Sequence, residues 1–283
     1  MTDIQNILRE RAHALLDEGK IACFIGWGAT RFNERAMPKF IFKAEESSSL
    51  VYNEHCLNTL AKYTLDFQYG AEKVGLATRG CEARAINRLI ADGRLSRDKV
   101  YLLGIPCQGM LEHGKPADKC VFCRHRNPVV YDELLGEKTI ELQNPPRFES
   151  VLELENKSDT ERYDFWQKQF AKCIRCYACR NVCPACNCLE CYTEQYRTGW
   201  QGKQANTLEN SVFGFTRAYH IGDRCIECGE CERICPMEIP LMKVNRKLVK
   251  DVEELFGVEE SGLSEDEIHA LGSYNKEDLE EFM

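Results

Sequence analysis

Apolar and polar positions in the first hundred residues switch between a helical and an extended period. The opening "MTDIQNILRERAHALLDEG" places apolar residues at helical spacing against a mixed-charge face, which predicts an amphipathic helix rather than a signal peptide. "IACFIGW" is an apolar, β-rich run and "KFIFK" alternates, so both predict strands. "EHCLNTLAKYTLDF" returns to helical spacing and predicts a second helix. Next comes the clearest unit: "KVGLAT" as a strand, "RGCEARAINRLIADG" as a turn and a helix ending at Gly93, and "KVYLLGIPC" as a strand. Strand, helix and strand in that order imply a parallel pair with a crossover helix. Sites in such sheets lie beyond the carboxyl ends of the strands, and Cys81 and Cys107 each fall just after one.

Between about 137 and 161 the periodicity dissolves into "NPPRF" and charged sequence, which predicts a connection between domains. "TERYDFWQKQFAKC" predicts a helix leading into a cysteine group, and the chain from Pro240 onward is helical in pattern and strongly acidic after Lys250. Within that tail "GLSEDEIHALG" predicts a short capped helix, and the acidity itself reads as a solvated face. The expected architecture is an α/β N-terminal domain with a partly parallel sheet over residues 1–150, followed by a mainly α, cysteine-bearing domain over 151–250 and an acidic helical tail over 251–283.

Composition narrows the chemistry. A chain of 283 residues has room for two domains with real cores. A formal net charge of -8 disfavours nucleic acid as a partner, since neutralising phosphates needs a basic surface. No apolar run reaches the ~20 residues of a transmembrane helix, so a cytoplasmic location is expected. Seventeen cysteines are too many for ordinary packing, and eleven of them lie between Cys173 and Cys235. Without a secretory signature, a reducing compartment and metal binding are the expectation for these thiols.

Two groups share one spacing. Cys173, Cys176, Cys179 and Cys183, followed by Pro184, read C-x2-C-x2-C-x3-C-P; Cys225, Cys228, Cys231 and Cys235, followed by Pro236, repeat it. In that pattern three thiolates wrap one 4Fe-4S cluster and the fourth reaches the other cluster of a pair. The expected sets are therefore crossed: Cys173, Cys176, Cys179 and Cys235 for one cluster, Cys225, Cys228, Cys231 and Cys183 for the other. Paired zinc sites are the competing reading, although zinc has no use for the third cysteine and the trailing proline of each repeat.

Nine cysteines remain. Cys81 and Cys107 at strand ends, with Cys120 and Cys123 in "ADKCVFCRHRNP", are candidates for a third 4Fe-4S cluster, against buried structural thiols and zinc or nothing at the last two. A helix N-terminus after Gly80 would favour the Cys81 thiolate. Cys186, Cys188 and Cys191 follow so closely on Cys183 that they stay beside the dicluster; with a further thiolate from the N-terminal half they would close a fourth cluster, and otherwise bind zinc or pack as small apolar groups. Cys23 and Cys56 lie inside element patterns and are expected in the core. His220 and Arg224 could donate hydrogen bonds towards cluster sulfurs or simply line a helix surface, and His113 and His125 flank the N-terminal cysteines.

The segments "KCIRCYACRNVCPACNC" and "YHIGDRCIECGECERICPMEIPL" resemble the dicluster ferredoxin segments of iron-sulfur subunits in anaerobic hydrogenase, formate dehydrogenase and heterodisulfide reductase complexes. "GLATRGCEARAI", "LLGIPCQGM" and "KCVFC" are similar to the beta subunits of deazaflavin-coenzyme (F420) hydrogenases and dehydrogenases. This resemblance implies an iron-sulfur subunit that relays single electrons between other redox subunits, a flavoprotein, hydrogenase or dehydrogenase among them. The alternative it implies is a beta subunit with its own FAD, oxidising or reducing a nicotinamide or deazaflavin coenzyme. The N-terminal half carries no G-x-G-x-x-G fingerprint.

Overall fold

The computed structural model describes residues 2–31, 34–143, 145–195, 197–258 and 260–273. Helix α1 (Thr2–Asp17) precedes strand β1 (Cys23–Ala29), whose residues are buried except for the last, as an apolar run in a sheet interior must be. Strand β2 (Ala36–Ile41) pairs with it antiparallel, Ile25 opposite Phe40. On its other side β1 pairs in parallel with β3 (Val74–Thr78), β3 with β4 (Val100–Gly104), and β4 with β7 (Glu133–Leu134), giving the order β2-β1-β3-β4-β7. Helix α2 (Gly80–Ala91) is the predicted crossover between β3 and β4. A small hairpin, β5 (Leu111–Glu112) with β6 (Lys115–Pro116), leads into the short α3 (Asp118–Val121).

The main core lies between this sheet, α1 and α2, around Phe24, Ile25, Trp27, Leu76, Ile86 and Leu102. Cys23 and Cys56 are fully buried within it, as expected. The segment "EHCLNTLAKYTLDF" corrects its sequence reading: it runs through turns and ends in a 3-10 helix, Ala61–Phe67. Its carbonyls have other uses. Arg79 donates to those of Cys56 and Asn58, Lys119 to that of Leu57 and the Trp27 indole N–H to that of Asn58, so the α-helical ladder loses its acceptors.

The second half is helical. The expected connection contains α4 (Glu149–Glu155), which holds to α9 (Leu241–Phe256) through Lys243–Glu153 at 2.7 Å and Lys250–Glu155 at 2.6 Å. Helix α5 (Asp159–Ala171) begins at a capping box in which Ser158 and Glu161 satisfy each other's backbone amides. The short helices α6 (Ala178–Val182) and α8 (Glu230–Arg233) sit inside the two cysteine groups. Between them the long spacer folds as α7 (Thr207–His220), capped by Asn206. Trp166 and Phe170 of α5 meet Phe215 of α7 with ring centroids 5.1 to 6.0 Å apart, and this small core continues into Cys173, Cys179, Cys231 and Cys235.

The short helix expected in "GLSEDEIHALG" is absent: Gly262–Gly272 forms turns. Here too the polar groups serve another element, since Arg84 donates to the Ser261 carbonyl, Asn87 to the Gly262 carbonyl, and Arg88 pairs with Glu267, all three cations and amides coming from α2. The part of the expected helical tail beyond 273 lies outside the described residues. No helix among the described residues is long and apolar enough to cross a membrane. A mostly parallel mixed sheet followed by a helix-rich region bears out the expected fold class.

Candidate metal centres

The duplicated spacing is matched by a duplicated backbone. Arg175 and Tyr177 in the first group, and Glu227 and Gly229 at the equivalent places in the second, all have positive φ, between 55° and 68°. Arg180 and Asn181 both donate to the Tyr177 carbonyl as Glu232 and Arg233 do to that of Gly229. Cys183 bonds back to Arg180 and Cys235 to Glu232 in the same way. Left-handed backbone at a non-glycine residue costs about 1–2 kcal/mol, so three such residues in two loops signal a demand beyond folding alone. The turns aim amides at sulfur: the Arg175 amide donates to Cys173 Sγ at 3.4 Å, and Glu227 and Glu230 amides reach Cys225 and Cys228.

The thiols gather in the crossed arrangement. Cys173, Cys176, Cys179 and Cys235 line one cavity of about 490 Å³, closed by Phe170, Phe213, Ile239 and Leu241. Cys183 lies against Cys225, Cys228 and Cys231 closely enough to act on the ionisation of each. Burial pushes the Cys225 and Cys231 thiols up to about 12, and the Asn245 amide donates to Cys231 Sγ at 3.4 Å. Cys183 is held low by a hydrogen bond from Cys186, whose own thiol that bond pushes up. Dry thiols such as those of Cys225 and Cys231 give up their protons when metal binds.

In the first half, Cys81, Cys107, Cys120 and Cys123 line a single cavity of about 710 Å³ counting its mouth. Strand pairing sets Thr78 opposite Gly104, so the segments leaving β3 and β4 emerge side by side and carry Cys81 and Cys107 with them. Gly80 lets the loop after Cys123 close in, because a Cβ there would collide with the His125 carbonyl oxygen. Amides of Gly109 and Met110 donate to Cys107 and Cys120 sulfurs, each at 3.3 Å. Cys81 does sit in the first turn of α2, but burial and the adjacent Glu82 carboxylate push its thiol well up against the opposite pull of Arg79 and Lys119. Beneath the cavity Arg79 and Glu82, both essentially unexposed, pair at 2.7 Å, as do Lys119 and Glu230 across the two halves of the chain.

Cys186, Cys188 and Cys191 share a third cavity of about 940 Å³. Its N-terminal wall is Lys62, Leu65 and Arg94, so the expected thiolate from the first half is not there. Lys62 donates to the carbonyls of Arg180, Cys183 and Cys186 at 2.7 to 3.2 Å, tying this loop to the first half. Among the described residues no group of three or more His, Cys, Asp or Glu side chains converges tightly enough to hold a single metal ion; the cysteines ring cavities instead.

Of the other candidates, His125 lines the first-half cavity and takes a hydrogen bond from Cys123 Sγ on its carbonyl, and His220 and Arg224 line the cavity of Cys186, Cys188 and Cys191. The His220 ring packs on Tyr192 while its carbonyl takes Arg224, His113 meets Arg35, and His125 pairs with Glu260 at the rim of the first-half cavity. Sequence reading missed Lys62, Lys119, Glu230, Arg217 and Asn245. For the last two a signal existed: each is a polar residue on the apolar face of its helix, Arg217 one turn after Phe213 and Asn245 one turn before Val249.

Residues 169–239 match the 4Fe-4S dicluster domain family. The chain is similar to the F420-dependent formate dehydrogenase subunit beta of Methanocaldococcus jannaschii, 23% identical over 78% of this chain and 82% of the relative. It is similar to F420-dependent formate dehydrogenase 1 subunit beta of Methanococcus maripaludis, 35% identical over 41% of this chain and 30% of the relative. A shorter stretch is 38% identical to a component of the ion-translocating oxidoreductase complex of Buchnera aphidicola, over 25% of this chain and 12% of that one. The last two matches thus span under a third of the relatives' lengths. The expected resemblance stands on these matches: a beta-subunit-like chain with a dicluster 4Fe-4S region, similar to electron-transfer subunits of oxidoreductase complexes.

Proposed function

We propose that the chain is an electron-relay subunit in which three sets of four thiols hold 4Fe-4S clusters in a continuous order. The order is Cys81, Cys107, Cys120 and Cys123, then Cys183, Cys225, Cys228 and Cys231, then Cys173, Cys176, Cys179 and Cys235. Cys228 carries this reading: it belongs to the second set and also faces the cavity of the first. Arg217 plays the matching part between the second and third sets, lining the cavity of one and acting on Cys183 and Cys231 of the other. When bound, each cluster supplies a one-electron store whose potential follows its hydrogen bonds and solvent exposure. The chain's own residues supply the sulfur ligands, the amide donors to them, and the apolar closure by Phe170, Phe213 and Leu241 that keeps water out. Cys176 is exposed, so the last set opens to a partner, for which a larger redox subunit in the cytoplasm fits best.

Cys186, Cys188 and Cys191 suit a fourth cluster or a zinc ion only with a final ligand other than a thiol, since their cavity holds no further cysteine among the described residues. The alternative, a flavin-containing subunit acting on a nicotinamide or deazaflavin coenzyme, draws on the similarity to F420-dependent formate dehydrogenase beta subunits. Iron, acid-labile sulfide, zinc and flavin are to be measured on anaerobically purified full chain. About twelve irons with matching sulfide and no flavin is the expected result. Zinc without sulfide, or stoichiometric flavin with donor-driven turnover, would replace the relay reading.

A further inference from the structure

Several buried cations in this protein come with carboxylates. Arg79 has Glu82, Lys119 has Glu230, and Arg147 has Glu227. Arg84, Arg175 and Arg217 form no such ion pair among the described residues, and of these Arg217 on α7 is the most deeply buried. It is 3% exposed, its guanidinium donates to the Cys179 carbonyl at 3.2 Å, and its Nε has no partner. No carboxylate among the described residues forms an ion pair with it. An unpaired buried charge costs several kcal/mol, so a fold that keeps one implies that another negative group compensates it.

What surrounds Arg217 is sulfur. Its side chain lines the cavity of Cys173, Cys176, Cys179 and Cys235, and on its other side the cavity of Cys186, Cys188 and Cys191. The thiols that act on its charge are Cys231, Cys186, Cys183 and Cys179, which come from both crossed sets and from the surplus loop. Its burial keeps most water from it, which leaves its field weakly screened over short range.

We propose that Arg217 sets the potentials of both dicluster centres, its cation being balanced by the negative charge of the two thiolate-bound clusters. This rests on the reading that the crossed sets hold clusters. A fixed positive charge between two centres favours the electron-rich state of each, so it raises both potentials and keeps them close together. Arg217 is thus a positioning residue for charge, touching no substrate.

The test is a spectroelectrochemical titration of the full chain, purified anaerobically, with Arg217→Met, Arg217→Gln and Arg217→Lys beside the parent. Iron and sulfide content come first: a parent chain without both sinks the cluster reading itself, before Arg217 is judged. In Arg217→Met with full iron, the ratio of reduced to oxidised form at a fixed potential is expected to fall at least tenfold for both dicluster centres, which is about 59 mV for one electron. Arg217→Lys is expected within about twofold of the parent at the same potential. If the methionine chain does not hold iron, Arg217→Gln takes its place, since it retains a donor for the Cys179 carbonyl but not the charge. Iron loss in both neutral variants, with full iron and parental potentials in Arg217→Lys, also supports the charge requirement. Unchanged potentials in a fully loaded neutral variant overturn the proposal, and so does loss of iron in all three, which would make Arg217 purely structural.

Discussion

The dicluster region and the first-half cysteine site gather thiols by opposite means. In the dicluster region, three thiols of each set lie within seven residues, and the backbone between them is wound the same way twice, left-handed at Arg175 and Tyr177 and again at Glu227 and Gly229. In the first half, Cys81 and Cys107 come from two strand ends brought side by side by parallel pairing, Cys120 from the short helix α3 and Cys123 from the loop just after it. A local loop specifies its ligand by covalent spacing, so it can be recognised in isolation. A site made from strand ends depends on the sheet, and its ligands are only as close as the register makes them. The two kinds of site should therefore fail differently when they are perturbed.

The crossing gives the largest expected effect. Cys183→Ala should cost the chain about four irons and abolish the electron paramagnetic resonance signal that Cys228→Ala also abolishes, while leaving the one that depends on Cys176. Loss of the Cys176-dependent signal instead would break the crossed assignment. If the proposed first-half cluster forms, Cys107→Ala should likewise cost about four irons, but with both dicluster signals intact, because the first-half thiols are carried by the sheet and not by the dicluster loops. If that variant lost all iron, the two regions would be one unit and the contrast between them would fall.

A smaller effect sharpens how the halves are joined. Lys119→Met leaves Glu230 buried with Arg233 as its remaining partner, so a loss of about 3 kcal/mol is expected in denaturant unfolding of the loaded chain. A change below about 0.5 kcal/mol would mean the pair across the halves carries little of their union. Smallest of all, Gly229→Ala should cost about 1–2 kcal/mol, since it forces an alanine into left-handed backbone and presses its methyl on the Lys119 side chain. The same substitution at Gly93, which also has positive φ but open space around it, is the matched control for the backbone component alone.

Much of the fold could be read from periodicity alone. The β3-α2-β4 unit, the opening helix and α5 lie where apolar spacing and caps put them. The misreadings share one cause: in "EHCLNTLAKYTLDF" and "GLSEDEIHALG" the carbonyls that a helix would use are taken by Arg79, Lys119, Trp27, Arg84 and Asn87, residues distant in sequence. Helix α4 went unread because its apolar face, Val151 and Leu154, is too short to show a period.

What the sequence by itself determined is the chemistry that covalent spacing can carry: two C-x2-C-x2-C-x3-C-P groups, their duplication, and the expectation of crossed ligands, all of which depend on residues at most ten apart within each group. Tertiary structure alone decided the rest. It put Cys228 on the cavity of the first-half thiols, set Lys62 on the carbonyls of the surplus-cysteine loop, withheld a thiol from the wall facing Cys186, Cys188 and Cys191, and enclosed Arg217 among sulfurs without a carboxylate. Those placements depend on which side chains share a dry interior, and burial and charge compensation there act between residues whose separation along the chain carries no pattern to read.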